Sequence, residues 1–191
     1  MTLKKTLTPF AVTLFFLLVT VSAQSQDIFD AVKNNDLKKV KTLIKNDASL
    51  VNRKDESENT LLHHAARIGS NAMIEFLLSQ GADINAQNTQ LYTPLLEAIQ
   101  NRKENSSILL IEKGADRIKA NIFEQTPLHK AASLNQKRTC ELLISKGVSI
   151  DPVDRWGRTP FLIVARQTGD VEFGKLLLDN GANINAKDSY N

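Results

Sequence analysis

The sequence predicts an all-α solenoid of helix-turn-helix units joined by hairpin loops, and three recurrences carry that expectation. Threonine recurs at Thr60, Thr93, Thr126 and Thr159, in steps of 33 residues. An Asp or Asn stands five positions before each one, at Asp55, Asn88, Asn121 and Asp154. Glycine recurs at Gly81, Gly114, Gly147 and Gly181, with steps of 33, 33 and 34. Independent positions sharing one period mark a repeat architecture, in which each unit buries its apolar face only against its neighbours.

Each part of the unit has a local reason. In Thr126-Pro127-Leu128-His129-Lys130-Ala131-Ala132, the threonine can accept from the orphan N–H groups of a helix start. Proline then falls in the first turn, where its missing N–H is no loss. Ala131 and Ala132 are small enough for neighbouring helices to approach closely. A polar turn leads to a second helix ending in an apolar triplet. The triplets are Phe76-Leu77-Leu78, Leu109-Leu110-Ile111, Leu142-Leu143-Ile144 and Leu176-Leu177-Leu178. The periodic glycines follow as helix caps, where a left-handed backbone suits a residue without Cβ. Segments such as Ala82-Asp83-Ile84-Asn85-Ala86 then run out as a hairpin arm.

These motifs resemble the ankyrin repeat. Thr126-Pro127-Leu128-His129-Lys130-Ala131 matches the signature T-P-L-H-x-A in full. Thr60-Leu61-Leu62-His63-His64-Ala65 departs at proline, and Thr93-Pro94-Leu95-Leu96-Glu97-Ala98 at histidine. Thr159-Pro160-Phe161-Leu162-Ile163-Val164 departs most, and its unit holds one extra residue before Gly169. The resemblance spans about Asp27 to Asn191, with units expected at 56–90, 91–123, 124–156 and 157–191. Residues 24–55 read as a degenerate first repeat. Leu37, Val40, Leu43 and Ile44 share one helical face there, and the other face is rich in lysine. That is how a capping unit keeps the end of a solenoid in water. The other end shows no comparable cap. Apolar groups around Phe173, Leu176 and Leu177 are expected to be partly exposed, or covered by a partner or a second copy.

The first 23 residues read differently. Lys4 and Lys5 precede an apolar run from Phe10 to Val21, and Val21-Ser22-Ala23 presents small residues to a peptidase. This is the order of a secretory signal cleaved after Ala23. The run is too short for the roughly 20 residues that span a bilayer. An uncleaved anchor is the other reading. The expected location is periplasmic or secreted, with no membrane association after signal removal. Without Met1–Ala23 and its two lysines, 22 basic residues face 21 acidic ones. The chain is therefore near neutral, and nucleic acid is not an expected partner, since that would require a clustered basic face.

Residues able to do chemistry are few. His63 and His64 are adjacent, so they point about 100° apart on a helix. His63 and His129 stand at the signature position, which in the family is structural, and His64 is expected at the surface. Cys140 is the one thiol. A redox role through Cys140 is the rival class of function, against a core role at a position the family fills with an aliphatic residue. Asp55 and Asp154 suit residues that bond their own backbone. No phosphate loop or nucleophile elbow is present, and neither an enzyme nor a cofactor or metal is expected.

The resemblance implies binding of another protein through the concave surface of hairpin tips and first helices. The family's variable positions fall here on Tyr92, Ile122, Phe123, Arg155, Trp156 and Arg158 at the tips, and on Ile68 and Leu134 at helix ends. Tyr92, Ile122, Phe123 and Trp156 are expected as a stripe flanked by Arg155 and Arg158. Trp, Tyr and Arg are the types enriched in interface hot spots. The competing expectation is that these side chains fold back onto adjacent hairpins. The family also favours a left-handed glycine two residues before the threonine. Here those residues are Glu58, Leu91, Glu124 and Gly157. Resemblance to exported bacterial ankyrin proteins implies several roles: immunity protein, support for a periplasmic enzyme such as one handling peroxide, or effector acting on a host protein. Self-association through the C-terminal end is a further reading.

Overall fold

The computed structural model describes residues 27–190. The expected signal segment and its cleavage point lie outside the described residues. Among them are ten α-helices and no strand. α1 covers residues 27–33, α2 Leu37–Asn46, α3 Leu61–Ile68, α4 Asn71–Ser79 and α5 Pro94–Gln100. α6 covers Glu104–Glu112, α7 Pro127–Ser133, α8 Lys137–Ser145, α9 Pro160–Ile163 and α10 Val171–Asp179. Odd-numbered helices stack on one another, as do even-numbered ones, so each unit is an antiparallel pair in a two-layer array.

Helices of seven to nine residues are too short to persist alone. Several of them start at a side-chain cap, and their apolar faces are buried between layers. Thr93 Oγ1 accepts from the Leu96 N–H and Thr159 Oγ1 from the Leu162 N–H, each at 3.3 Å. Pro94, Pro127 and Pro160 occupy the first turn. One core runs the length of the stack. It takes Leu61, Leu95, Leu128 and Val164 from the odd layer, and Ile74, Leu77, Leu110, Leu143 and Leu177 from the even layer. Each fully buried aliphatic side chain contributes roughly 1.5–3 kcal/mol. Ala65, Ala98 and Ala131 lie fully buried where the odd helices touch.

The even helices end alike. Gly81, Gly114, Gly147 and Gly181 have φ between 79° and 93°. The following N–H reaches back to the apolar triplet, as from Ala82 to the Leu77 carbonyl at 3.0 Å and Ala115 to Leu110 at 2.9 Å. Beyond three of these glycines the arms are tethered to the preceding unit. Asn52 Oδ1 accepts from Asp83 N–H (2.8 Å), Asn85 Oδ1 from Asp116 N–H (2.7 Å), and Asp151 Oδ2 from Asn183 N–H (2.8 Å). The residue in register between Asn85 and Asp151 is Ile118. It cannot accept such a bond and is 67% exposed beside an open recess lined by Asp116, Lys146 and Val148.

The N-terminal pair, α1 with α2, turns its lysines outward. Val40 and Ile44 are buried, Leu37 and Leu43 half-buried, while Lys38, Lys39, Lys41 and Lys45 are exposed. The C-terminal expectation is corrected. Phe173 and Leu177 are fully buried and Leu176 half-buried, because α9 and its extension cover them and the Lys137 ammonium lies 6.0 Å above the Phe173 ring. The apolar groups that face outward are instead Val171, Ile184 and Tyr190. The extra residue of this unit is absorbed as a π-helical turn, Val164–Thr168, closed by the Gly169 N–H on the Val164 carbonyl at 3.1 Å. A single-turn π bulge is how a helix accommodates one inserted residue.

Candidate interaction surface

Each hairpin tip is built by its Asp or Asn. Asp55 Oδ1 accepts from the N–H groups of Ser57 and Asn59, both at 2.9 Å. Asn88, Asn121 and Asp154 do the same in their tips. The carboxamide or carboxylate imitates a backbone turn and pins three residues. Within that turn Glu58, Leu91 and Glu124 have φ of 63°, 56° and 60°, and Gly157 has 72°. The left-handed position is therefore kept without glycine in three tips, at about 1 kcal/mol each. Gly157 has a further reason, since a Cβ there would stand 3.3 Å from the Ser189 N.

Successive tips are bonded through their backbones. The N–H groups of Thr89, Ile122, Arg155 and Ser189 donate to the carbonyls of Ser57, Gln90, Phe123 and Trp156, at 3.1, 3.2, 3.1 and 2.9 Å. This register places Gln90, Phe123, Trp156 and Tyr190 in one column. The rings of Phe123 and Trp156 stack, with centroids 5.7 Å apart and planes 21° from parallel. The Arg155 guanidinium lies 5.7 Å from the Phe123 centroid, and Arg158 lies 4.5 Å from that of Trp156. Arginine over an aromatic face is held by the ring quadrupole. The four side chains thus form one stacked block, and Phe123 is 37% exposed.

The arginines are also held from behind. Arg158 donates to Asp154 Oδ2 from Nε at 2.9 Å and from a terminal nitrogen at 2.6 Å. Arg155 donates to the Ile122 carbonyl. Burial works to raise the Asp154 carboxyl, but the Arg158 guanidinium and the backbone N–H groups of Arg158 and Trp156 outweigh it and hold it below the ordinary carboxylate range. Asp55 is held low in the same sense, with burial opposed by His64 and Asn59.

The histidines are structural. His63 Nδ1 accepts from the Thr60 N–H at 3.1 Å, so Nε2 carries the proton and donates to the Tyr92 carbonyl at 2.9 Å. His129 repeats this with the Thr126 N–H (3.2 Å) and the Arg158 carbonyl (2.9 Å). Each histidine ties its helix start to the next hairpin. The expectation for His64 is corrected: it is buried, its Nε2 lies 2.8 Å from Asp55 Oδ2, and its ring meets the Phe29 ring edge-on. The tip carboxylate of its own unit draws it inward. Cys140 is fully buried in α8, and burial pushes its thiol far up. That removes the thiolate a redox role would use.

The expected contact residues divide. Phe123, Trp156, Arg155 and Arg158 are brought together. Ile122 is half-buried beside them, its carbonyl engaged by Arg155. Tyr92 is half-buried but lies outside the ring column, because it shares register with Arg158 and not with Trp156. Leu134 leans on the core and its carbonyl accepts from Arg102, while Ile68 is half-buried at the end of α3. On the odd-helix face Arg67 meets Glu97 through two nitrogens, each at 3.1 Å. Three residues that sequence reasoning does not single out belong here: Leu162, Asp188 and Tyr190. Asp188 stands 34 residues after Asp154, the signal that a further tip begins there. Its carboxylate pairs with Arg166 from the π turn.

A row of rigid tips beside a helical groove is the build of a repeat-type binding scaffold. The chain belongs to the ankyrin-repeat family: the model for ankyrin repeats in three copies matches residues 28–121 and 108–188. Such repeats generally mediate protein–protein interaction and serve as non-catalytic scaffolds. The chain is similar to the serine/threonine-protein kinase VIK of Arabidopsis thaliana, 38% identical over 40% of this chain and 17% of that protein. It is similar to a transient receptor potential cation channel subfamily A member 1 homolog of Caenorhabditis elegans, 42% identical over 34% and 5%. A putative ankyrin repeat protein of Rickettsia felis is 33% identical over 48% and 41%. In each case the chain spans less than half of the relative. Among the described residues no helix is long and apolar enough to cross a membrane.

Proposed function

We propose that the chain is an exported scaffold that binds one protein partner through its tips and odd-helix groove, with the Phe123–Trp156 stack as the anchor. The stacked block of Phe123, Trp156, Arg155 and Arg158 carries this reading. Rings and guanidinium groups already locked in one arrangement lose little entropy on binding, and they are the types that dominate interface energetics. Export to the periplasm or beyond rests on the basic, apolar and small-residue order of Met1–Ala23. In that setting the partner is a toxic effector to be neutralised or an exported enzyme to be supported; delivery to a host protein is the alternative.

The test is affinity capture from the exported fraction, using the processed protein as bait beside a Phe123→Ala/Trp156→Ala variant of matched circular dichroism. A partner retained by the first and lost by the second is the expected result. Equal capture by both would refute the anchor. Recovery of the chain in the cytoplasm with residues 1–23 intact would refute export.

A further inference from the structure

Where the ring column meets the π turn, the surface opens into a recess of about 260 Å³. Trp156 and Tyr190, from successive tips, form its walls, and Leu162 of α9 contributes apolar surface below. Arg158, Arg166 and Gln167 stand at its rim. Tyr190 is 77% exposed, yet its backbone is pinned by the Asp188 carboxylate at 3.0 Å. The recess is thus a formed hollow, with one exposed ring facing one held in the stacked block.

The charges here are layered. The Arg158 side chain is 23% exposed and its partner Asp154 0%; Arg166 is 50% exposed and its partner Asp188 1%. Each carboxylate lies beneath its arginine, so the formal pairs are neutral while the face presented to solvent is cationic. A guanidinium has five N–H donors. Arg158 directs Nε and one terminal nitrogen inward, and Arg155 directs one nitrogen to the Ile122 carbonyl, which leaves donors facing out. The π turn is what brings Arg166 to Asp188 and to this rim.

We propose that this recess is a specificity pocket for an acidic peptide segment of the partner. One large apolar side chain enters between Trp156 and Tyr190, and flanking carboxylates meet Arg155, Arg158 and Arg166. The inference rests on the binding role given above. Apolar walls under a cationic rim complement a carboxylate-flanked apolar residue, and arginine forks pair carboxylates in two-bond geometry. A nucleic-acid strand would also find rings and arginines here. It is disfavoured because the same row of tips continues with exposed Glu124, Glu58 and Glu56, which would repel a polyanion but leave a short acidic segment untouched.

The experiment uses the protein purified from cells expressing the full sequence. Random linear peptides displayed on phage are selected against it. Selected peptides are then titrated while following the emission of Trp156, the single tryptophan. The expected result is enrichment of peptides with Asp or Glu flanking one Leu, Phe or Trp, and binding that shifts Trp156 emission. Affinity should fall about tenfold in Leu162→Ser and in Gln167→Glu, and again between about 0.05 and 0.5 M salt as the rim charges are screened. Gln167 is exposed, so that variant leaves folding intact. No enrichment, enrichment of basic peptides, saturable binding of an oligothymidylate, or indifference to both variants would overturn the proposal. Peptides that lose binding in Phe123→Ala/Trp156→Ala but ignore Leu162 and Gln167 would sink the pocket and leave the broader binding role standing.

Discussion

His63 and Tyr92 are joined across two units, ring nitrogen to backbone carbonyl at 2.9 Å, while the other ring nitrogen caps the start of its own helix. His129 and Arg158 repeat the arrangement two units further on. Leu96 occupies the same register in the intervening unit and Leu162 in the unit after His129, and neither provides such a link. Inter-unit cohesion is therefore uneven along the stack.

Replacing His63 or His129 by alanine should destabilise the protein by about 1–3 kcal/mol, since a cap is lost and a polar group loses its partner. The same change at Leu96 should cost more through its cavity, about 2–5 kcal/mol, but leave the next tip's dynamics unchanged. Urea denaturation gives the energies. Amide exchange at Asn88 and Tyr92 reports the loosened tip.

Stability should decline with acid in two stages. Burial lowers the titration of His63, His64 and His129 below the ordinary value of 6.5. The unfolded chain then takes up protons first as pH falls, so stability is full above about 6.5 and is lost progressively below it. Asp55, Asp154 and Asp170 are held below 3.8. Their contribution persists to that value and disappears as pH falls beneath it. Thermal melts across pH 3–8 should show both stages, and a flat profile between 7 and 5 would contradict the first.

At Leu91, with φ of 56°, glycine should be more stable than alanine by about 1 kcal/mol. At an ordinary helical position the order is reversed by a similar amount. Comparing Leu91→Gly with Leu91→Ala, and the same pair at an exposed site in α6, isolates the sign. Equal effects at both sites would mean that the left-handed turn relaxes.

Ile118→Asn should supply the missing tether to the arm after Gly147 and stabilise the chain by about 0.5–1.5 kcal/mol. Chemical denaturation of this variant beside Ile118→Ala separates the new bond from simple removal of an exposed apolar group.

The stack is legible in the sequence because its causes are local and periodic. Thr126, Pro127 and Gly147 sit where capping and left-handed geometry require them, and a 33-residue period repeats those requirements. His129 follows from its motif, whereas His64 does not: an adjacent position on a helix says nothing of Asp55 nine residues back. Phe123 with Trp156 is legible as a column of tips, while Tyr92 is misplaced because register within the turn, and not proximity to the threonine, selects the column. Tyr190 and Asp188 escape notice since the last period is 34 and the π turn displaces the residues beyond it. Burial of Phe173 depends on how α9 continues, a tertiary matter that no window around Phe173 contains.

The backbone bonds between successive tips have a metric consequence. Because each tip is tied to the next, their spacing cannot be tuned one at a time, and the row works as a ruler whose divisions are set by the thickness of a helix pair. A partner that touches two tips measures that interval. Inserting one extra consensus unit between Gly114 and Asn121 would keep every contact residue, yet carry Phe123 and Trp156 away from the groove of Arg67 and Glu97 by one full division. A ligand spanning both halves would lose affinity to a displacement alone, with no side chain altered.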